Sequence, residues 1–183
     1  MKFRLASTIA ALTLGMTATA ASAETYIGLG IGSEAPVTGS LGEQFSTDDT
    51  THGRLMLGKR FGKLAIEGSL FGTEMFHLGG PDAAIAALAL DLKYHLPVAS
   101  NFEAYVKGGL HKAYLSSDTN QRFDEMEGQG YQYGAGIQYR FNLAVTSAAL
   151  WLDYQRAQFE VADEGVELSG TGKMLQVGVS LGF

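Results

Sequence analysis

The 183-residue chain contains no cysteine, which excludes a disulfide framework and any thiolate metal site. Charged residues are scarce, at 17% against 46% hydrophobic, a balance too apolar for a disordered chain. Long hydrophobic runs are missing as well. Beyond residue 23 the longest is Ala83 to Leu90, eight residues, where a membrane-crossing helix needs roughly 20. A helical membrane protein is therefore excluded, and the length suits one domain rather than a multidomain enzyme. What the chain has in excess is glycine, 24 residues, about twice the usual share. Together with eighteen Tyr and Phe residues, this points to β structure with close backbone packing.

Residues 1–23 read as a secretory signal peptide: Lys2 and Arg4 precede an apolar stretch from Leu5 to Met16, which ends at Ala21-Ser22-Ala23. Ser7, Thr8 and Thr13 dilute that stretch, which is too short for a retained transmembrane helix. Residues 24–183 then form the mature domain, 160 residues beginning at Glu24, and the loss of two cations takes the charge from −6 to −8. Export without cysteine leaves stability to something other than disulfides.

The recurring pattern is alternation. Leu175, Val177, Val179, Leu181 and Phe183 share one parity, and Met174, Gln176, Gly178, Ser180 and Gly182 share the other. In an extended strand these two sets face opposite ways. Ile27, Leu29 and Ile31 likewise oppose Tyr26, Gly28 and Gly30, and Leu64, Ile66 and Leu70 oppose Glu67, Ser69 and Phe71. Eight such segments lie near 24–32, 53–61, 64–73, 85–96, 102–114, 130–141, 143–156 and 173–183. Their connections alternate between short (around Gly62, Pro97 to Asn101, and Asn142) and long (33–51, 74–84, 115–129 and 157–172). The fold expected is all-β: an eight-stranded antiparallel up-and-down transmembrane β-barrel with tight turns at one rim and long loops at the other. Ala83 to Leu90 would be helical on propensity alone, after helix-entry chemistry at Pro81-Asp82. The unbroken alternation of Leu88, Leu90, Leu92, Tyr94 and Leu96 with Ala87, Ala89, Asp91, Lys93 and His95 overrides it.

A secreted soluble ligand-binding barrel would also alternate, but with charge outside. Here the face opposite the apolar one carries Arg54, Arg60, Glu67, Asp91, Lys93, Glu103, Lys107, Arg140 and Asp153 among glycines and alanines. That is a poor exterior and a good narrow interior. An eight-stranded barrel has room only for side chains, so these charges must pair as an interior salt-bridge network, and their sum is +1. Charges on the apolar parity, Lys59, Lys112, Arg156 and Lys173, all stand near segment ends. A basic residue on the lipid face costs about 2–4 kcal/mol at mid-membrane and little near an interface. Phe61, Tyr94, Phe102, Tyr139, Phe141 and Phe183 gather toward one rim and Tyr114, Tyr133 and Tyr154 toward the other, as candidate interfacial girdles.

The mature chain resembles the small outer-membrane β-barrel proteins of Gram-negative bacteria, the OmpX/Ail-type and OmpA transmembrane-domain group. The matching stretches are Thr25-Tyr26-Ile27-Gly28-Leu29-Gly30, Leu64-Ala65-Ile66-Glu67-Gly68-Ser69, Tyr94-His95-Leu96-Pro97, Tyr105-Val106-Lys107-Gly108-Gly109-Leu110 and Gly134 to Phe141, with the terminal Phe183. The resemblance implies an outer-membrane location with extracellular loops and periplasmic termini. It also implies that the barrel-assembly machinery reads Phe183 as its signal. Two positions depart from the family: Gln138 stands where a carboxylate is frequent, and Trp151 where an arginine is. The family's internal salt-bridge network is therefore expected to be altered here.

For function, a packed lumen argues against a diffusion channel. The long loops sum to −13, an acidic crown beside an anionic lipopolysaccharide layer, to which divalent cations could bridge it. Relatives that bind host surfaces through basic loops are a poor guide to such a crown. Lys112, Arg156 and Lys173, outward at the long-loop rim, are candidate contacts to lipopolysaccharide phosphates. A lipid-A-modifying outer-membrane enzyme is the competing class, but the His-x-Ser pair of the lipid A deacylases is absent after His52, His77, His95 and His111. No metal, cofactor, catalytic residue or nucleic-acid role is expected: the Gly28-x-Gly30-x-Gly32 run lacks the crossover helix of a nucleotide loop, and the chain is acidic. The expectation is a non-enzymatic, monomeric protein serving envelope integrity or surface interaction.

Overall fold

Strand polarity of period two, repeated eight times, closes on itself. The computed structural model describes residues 23–40, 50–72, 83–117, 126–143, 146–163 and 166–183. The strands are β1 (Ala23–Thr38), β2 (Thr50–Phe61), β3 (Leu64–Gly72), β4 (Ala83–Pro97), β5 (Phe102–Ser117), β6 (Met126–Asn142), β7 (Ser147–Asp163) and β8 (Val166–Gly182). Each pairs antiparallel with its neighbours in chain order, and β8 returns to β1 to complete the barrel. The last rung is a mutual pair of backbone hydrogen bonds between Thr25 and Phe183, at 3.0 and 2.8 Å. No sheet edge is left along the closing seam.

Pairing around the wall gives the stagger directly. From Ser33 the partners run through Leu175, Tyr154, Ala135, Val106, Tyr94, Leu64 and Phe61 and return to Ala23, ten residues down the starting strand. Such a stagger tilts the strands by roughly 40° and leaves an interior that side chains can fill. Residues at equal height therefore lie a little more than one position further along each successive strand.

Burial follows the alternation on every strand. Leu29, Leu57, Leu70, Leu90, Leu110, Leu152 and Val177 are exposed on the outside, while the residues between them face inward. The short turns are tight: Gly62 takes the left-handed conformation (φ 61°) between β2 and β3, where any side chain would be strained. Val98 and Ala99 both donate to the Phe102 carbonyl between β4 and β5, and Leu143 donates to Thr146 between β6 and β7.

Several expectations are corrected. Residues 157–163 and 166–172, expected as loop, are strand. They continue β7 and β8 as a ladder from Ala157 opposite Gly172 to Asp163 opposite Val166. Strands β1, β4, β5 and β6 also run several residues into segments read as loops. The polar outward residues there, such as Gln158 and Thr171, ended the apolar pattern without ending the backbone ladder. The seventh strand begins at Ser147 rather than residue 143, and β1 begins at Ala23, one residue before the expected mature start. Ala83 to Leu90 is strand throughout. The expected signal peptide as far as Ser22, the Pro81-Asp82 signal, His77, and Glu43, Asp48, Asp49, Glu74, Asp82, Asp118, Arg122, Asp124, Glu125 and Glu164 of the acidic segments lie outside the described residues.

Candidate functional site

The lumen is stratified. At its centre Arg54, projecting from β2, spans the interior. Its Nη2 lies 2.8 Å from Glu67 Oε1 and 3.3 Å from Asp91 Oδ2, and its Nη1 lies 3.8 Å from Asp153 on the far wall. Glu67 and Asp91 are direct cross-strand neighbours, as are Lys93 and Lys107. Like charges so placed repel, and each pair is resolved by reaching sideways: Lys93 binds Glu67 at 2.8 Å and Lys107 binds Asp153 at 2.6 Å. Neutral groups take most of the remaining valences, while Arg54 Nε and one oxygen of Asp153, Oδ1, have no hydrogen-bond partner. Tyr26 donates to Glu67, Tyr105 to Asp153, Gln132 to both oxygens of Asp91, and Gln155 accepts from Arg54 and Lys107 while donating to Gln132. Arg54, Glu67, Asp91 and Asp153 are at most 2% exposed.

Toward the short-turn mouth a second cluster is partly wet. Arg60 holds Glu103 through both terminal nitrogens, at 2.7 and 2.8 Å, and Gln138 donates to the same carboxylate at 2.6 Å. Arg140 pairs with Glu24 at 2.7 Å, and Ser147 also donates to Glu24. A cavity of about 30 Å³ lies between Glu24, Arg60, Arg140 and Trp151, room for a water or two.

Above the centre the lumen turns apolar, with Phe71, Ala87, Ala89, Ala113, Ala157, Phe159 and Met174 packed together. His111 lies between two rings of this layer, its centroid 6.2 Å from that of Phe71 and 4.8 Å from that of Phe159. His52 is equally buried, and His95 has its Nδ1 3.5 Å from Glu103. Among the described residues no three His, Asp or Glu side chains converge as a metal-ligand set.

Glycine makes the narrow interior possible. A Cβ at Gly30 or Gly178 would strike the Trp151 ring, and one at Gly58 would strike Tyr26. Small residues on one wall thus admit the large ones from another. Trp151 fills the space that Gly30 and Gly178 leave, and Gln138 donates its amide to the Glu103 carboxylate.

All nine residues read from sequence as the interior network face the lumen and make ion pairs: Arg54, Lys93, Lys107, Glu67, Asp91 and Asp153 at the centre, Arg60, Glu103 and Arg140 at the mouth. Glu24 was missed because it was read as the chain's start. Its parity with Tyr26 and Gly28, and the unmatched +1, were the signals that could have found it. With Glu24 the network holds five cations and five carboxylates. Tyr26, Gln132 and Gln155 carried no charge and so no signal.

Of the rim residues, Lys112 stands apart from Arg156 and Lys173. Lys112 is paired with Glu127 at 2.6 Å and lies 5.0 Å from the Tyr114 ring centroid. Arg156 and Lys173 are exposed and directly opposed across β7 and β8. At the short-turn rim Tyr139 stacks edgewise with Phe102 and Phe141, Lys59 lies over Phe61, and Phe183 is 68% exposed.

Comparison with known proteins agrees with this architecture. The Neisserial surface protein A structure superposes with a TM-score of 0.64 at 14% identity, covering 88% of this chain and 99% of that one. The N-terminal β-barrel domain of Pseudomonas aeruginosa OprF gives 0.55 at 14% identity, covering 88% and 100%. These likenesses concern the fold alone. No curated protein sequence matches the chain. The family model described as outer membrane protein beta-barrel domain matches residues 6–183, and the chain therefore belongs to the outer-membrane β-barrel protein family.

Proposed function

We propose that this protein is a closed, non-conducting and non-enzymatic outer-membrane barrel that serves envelope integrity or surface interaction. Its termini and short turns face the periplasm, and its long hairpins rise outside the cell. One observation carries this reading: every strand turns apolar side chains outward around a lumen filled by its own neutralised charges. A lumen so filled leaves no evident path for a solute among the described residues; of the histidines, His111 lies between the Phe71 and Phe159 rings and His95 beside Glu103.

Interaction then falls to the outer surface. Lipopolysaccharide surrounds the barrel, with Lys112, Arg156 and Lys173 at phosphate height, and the hairpins meet whatever lies beyond it. The assembly machinery reads Phe183, whose exposed ring and terminal rung with Thr25 suit a closing signal. The barrel acts as a monomer.

The test combines three measurements on the full mature chain. Unheated electrophoresis is expected to give a faster-migrating folded form, planar bilayers no stable conductance, and purified lipid A no deacylation. Steady single-channel steps or released acyl chains would overturn the reading. Protease added to intact cells is expected to cut in the hairpins and spare the short turns; the reverse pattern would invert the orientation.

A further inference from the structure

Antiparallel partners stand side by side, so the outward residues of β6, β7 and β8 form rows across the wall. From mid-barrel toward the hairpins they read Ile137, Leu152, Val177; then Ala135, Tyr154, Leu175; then Tyr133, Arg156, Lys173; then Tyr131, Gln158, Thr171. The first two rows are apolar but for one phenol. The next two hold two cations, two phenols, an amide and a hydroxyl. The surface changes character within a single row, the change expected where hydrocarbon gives way to headgroups.

Within that row Arg156 and Lys173 face each other directly. Opposed like charges cost stability on a sheet, and the cost is relieved by an anion between them. Among the described residues the ion pair on the outward face is Lys112 with Glu127, so no described carboxylate supplies that anion. The barrel's stagger puts Lys112 at nearly the same height as Lys173, yet Glu127 already holds its charge. On the opposite wall Thr51 and Leu88 occupy this level, and neither is charged.

We propose that the row Tyr133, Arg156, Lys173, with Gln158 and Thr171 above it, binds the phosphate of an outer-leaflet lipid headgroup. This rests on the outer-membrane reading and narrows it, assigning the phosphate to Arg156 and Lys173 and leaving Lys112 to Glu127. Arginine presents a planar fork matched to two phosphate oxygens, and lysine adds a point charge from the other side. A lipid, rather than free phosphate, is the occupant because Ala135, Tyr154 and Leu175 lie directly below and Ile137, Leu152 and Val177 continue the apolar wall beneath them. A headgroup held in this row continues into acyl chains along an apolar wall.

The experiment uses the mature barrel in phosphatidylcholine nanodiscs containing diphosphoryl lipid A or its dephosphorylated form, and measures lipid A retained per barrel after repurification. R156Q/K173Q is expected to retain at least about tenfold less of the diphosphoryl form, and K112Q to stay within about twofold of wild type. The charge-exchanged variant R156K/K173R is expected to keep most of the retention. Wild-type retention falls as salt rises, a measurement that needs no substitution. Undiminished retention by R156Q/K173Q, equal retention of the dephosphorylated form, or displacement by inorganic phosphate alone would overturn the site. Loss of the heat-modifiable form in wild type would instead overturn the membrane-barrel reading, so the two failures are distinguishable.

Discussion

The centre of the lumen and its short-turn mouth use the same chemistry under different solvation. Each is neutral in itself, with Arg54, Lys93 and Lys107 against Glu67, Asp91 and Asp153 at the centre, and Arg60 and Arg140 against Glu103 and Glu24 at the mouth. The difference is water. Arg54 and Glu67 are 1% and 0% exposed, whereas the Arg140 and Glu24 side chains are 22% and 23% exposed. At the centre, loss of one partner strands a charge that nothing can rehydrate. At the mouth, water replaces most of what a lost partner supplied. Equal contact distances therefore carry unequal weight, and charge has to cancel layer by layer rather than only over the whole barrel.

The sharpest way to break this comparison is Arg54→Leu, which leaves Glu67, Asp91 and Asp153 around an apolar side chain. The expected destabilisation is about 3–5 kcal/mol, read from urea unfolding of the refolded barrel in micelles; a loss below about 1 kcal/mol would mean the centre is wetter than its burial implies. Next comes Gly30→Leu, which drives a side chain into the Trp151 ring without touching any charge. It should cost about 1–3 kcal/mol, and Trp151→Ala in the same chain should recover part of that. Absence of any recovery would separate the two residues.

At the mouth, Arg60→Gln is expected to cost about 1 kcal/mol in the same unfolding experiment, well short of Arg54→Leu. If the two losses matched, solvation would not be what separates the layers. The smallest effect belongs to Arg140 and Glu24: a double-mutant cycle with Arg140→Gln and Glu24→Gln should give a coupling of about 0.5 kcal/mol. A coupling several times larger would make the mouth as dry as the centre.

Much of the wall was legible in the sequence. A strand facing lipid on one side and a narrow lumen on the other must alternate, and alternation needs no knowledge of partners. That is why Arg54, Glu67 and Asp153 could be assigned inward one by one. The hairpin of β7 and β8 was not legible, because Gln158, Glu160 and Thr171 face water there, and a strand with a polar outer face resembles a loop. Glu24 was lost to its place beside an expected cleavage site, and Gln132 and Gln155 to their lack of charge.

Side-chain parity along the chain determined which residues line the lumen and which meet hydrocarbon, since successive residues of an extended backbone point opposite ways and the two environments differ so greatly in polarity. Only the closed barrel decided who pairs with whom. Its ten-residue stagger carries Arg54 to carboxylates on β3, β4 and β7, brings Arg140 to Glu24 across 116 residues of chain, and sets Arg156 against Lys173. Those meetings depend on register, and register is set by all eight strands closing together.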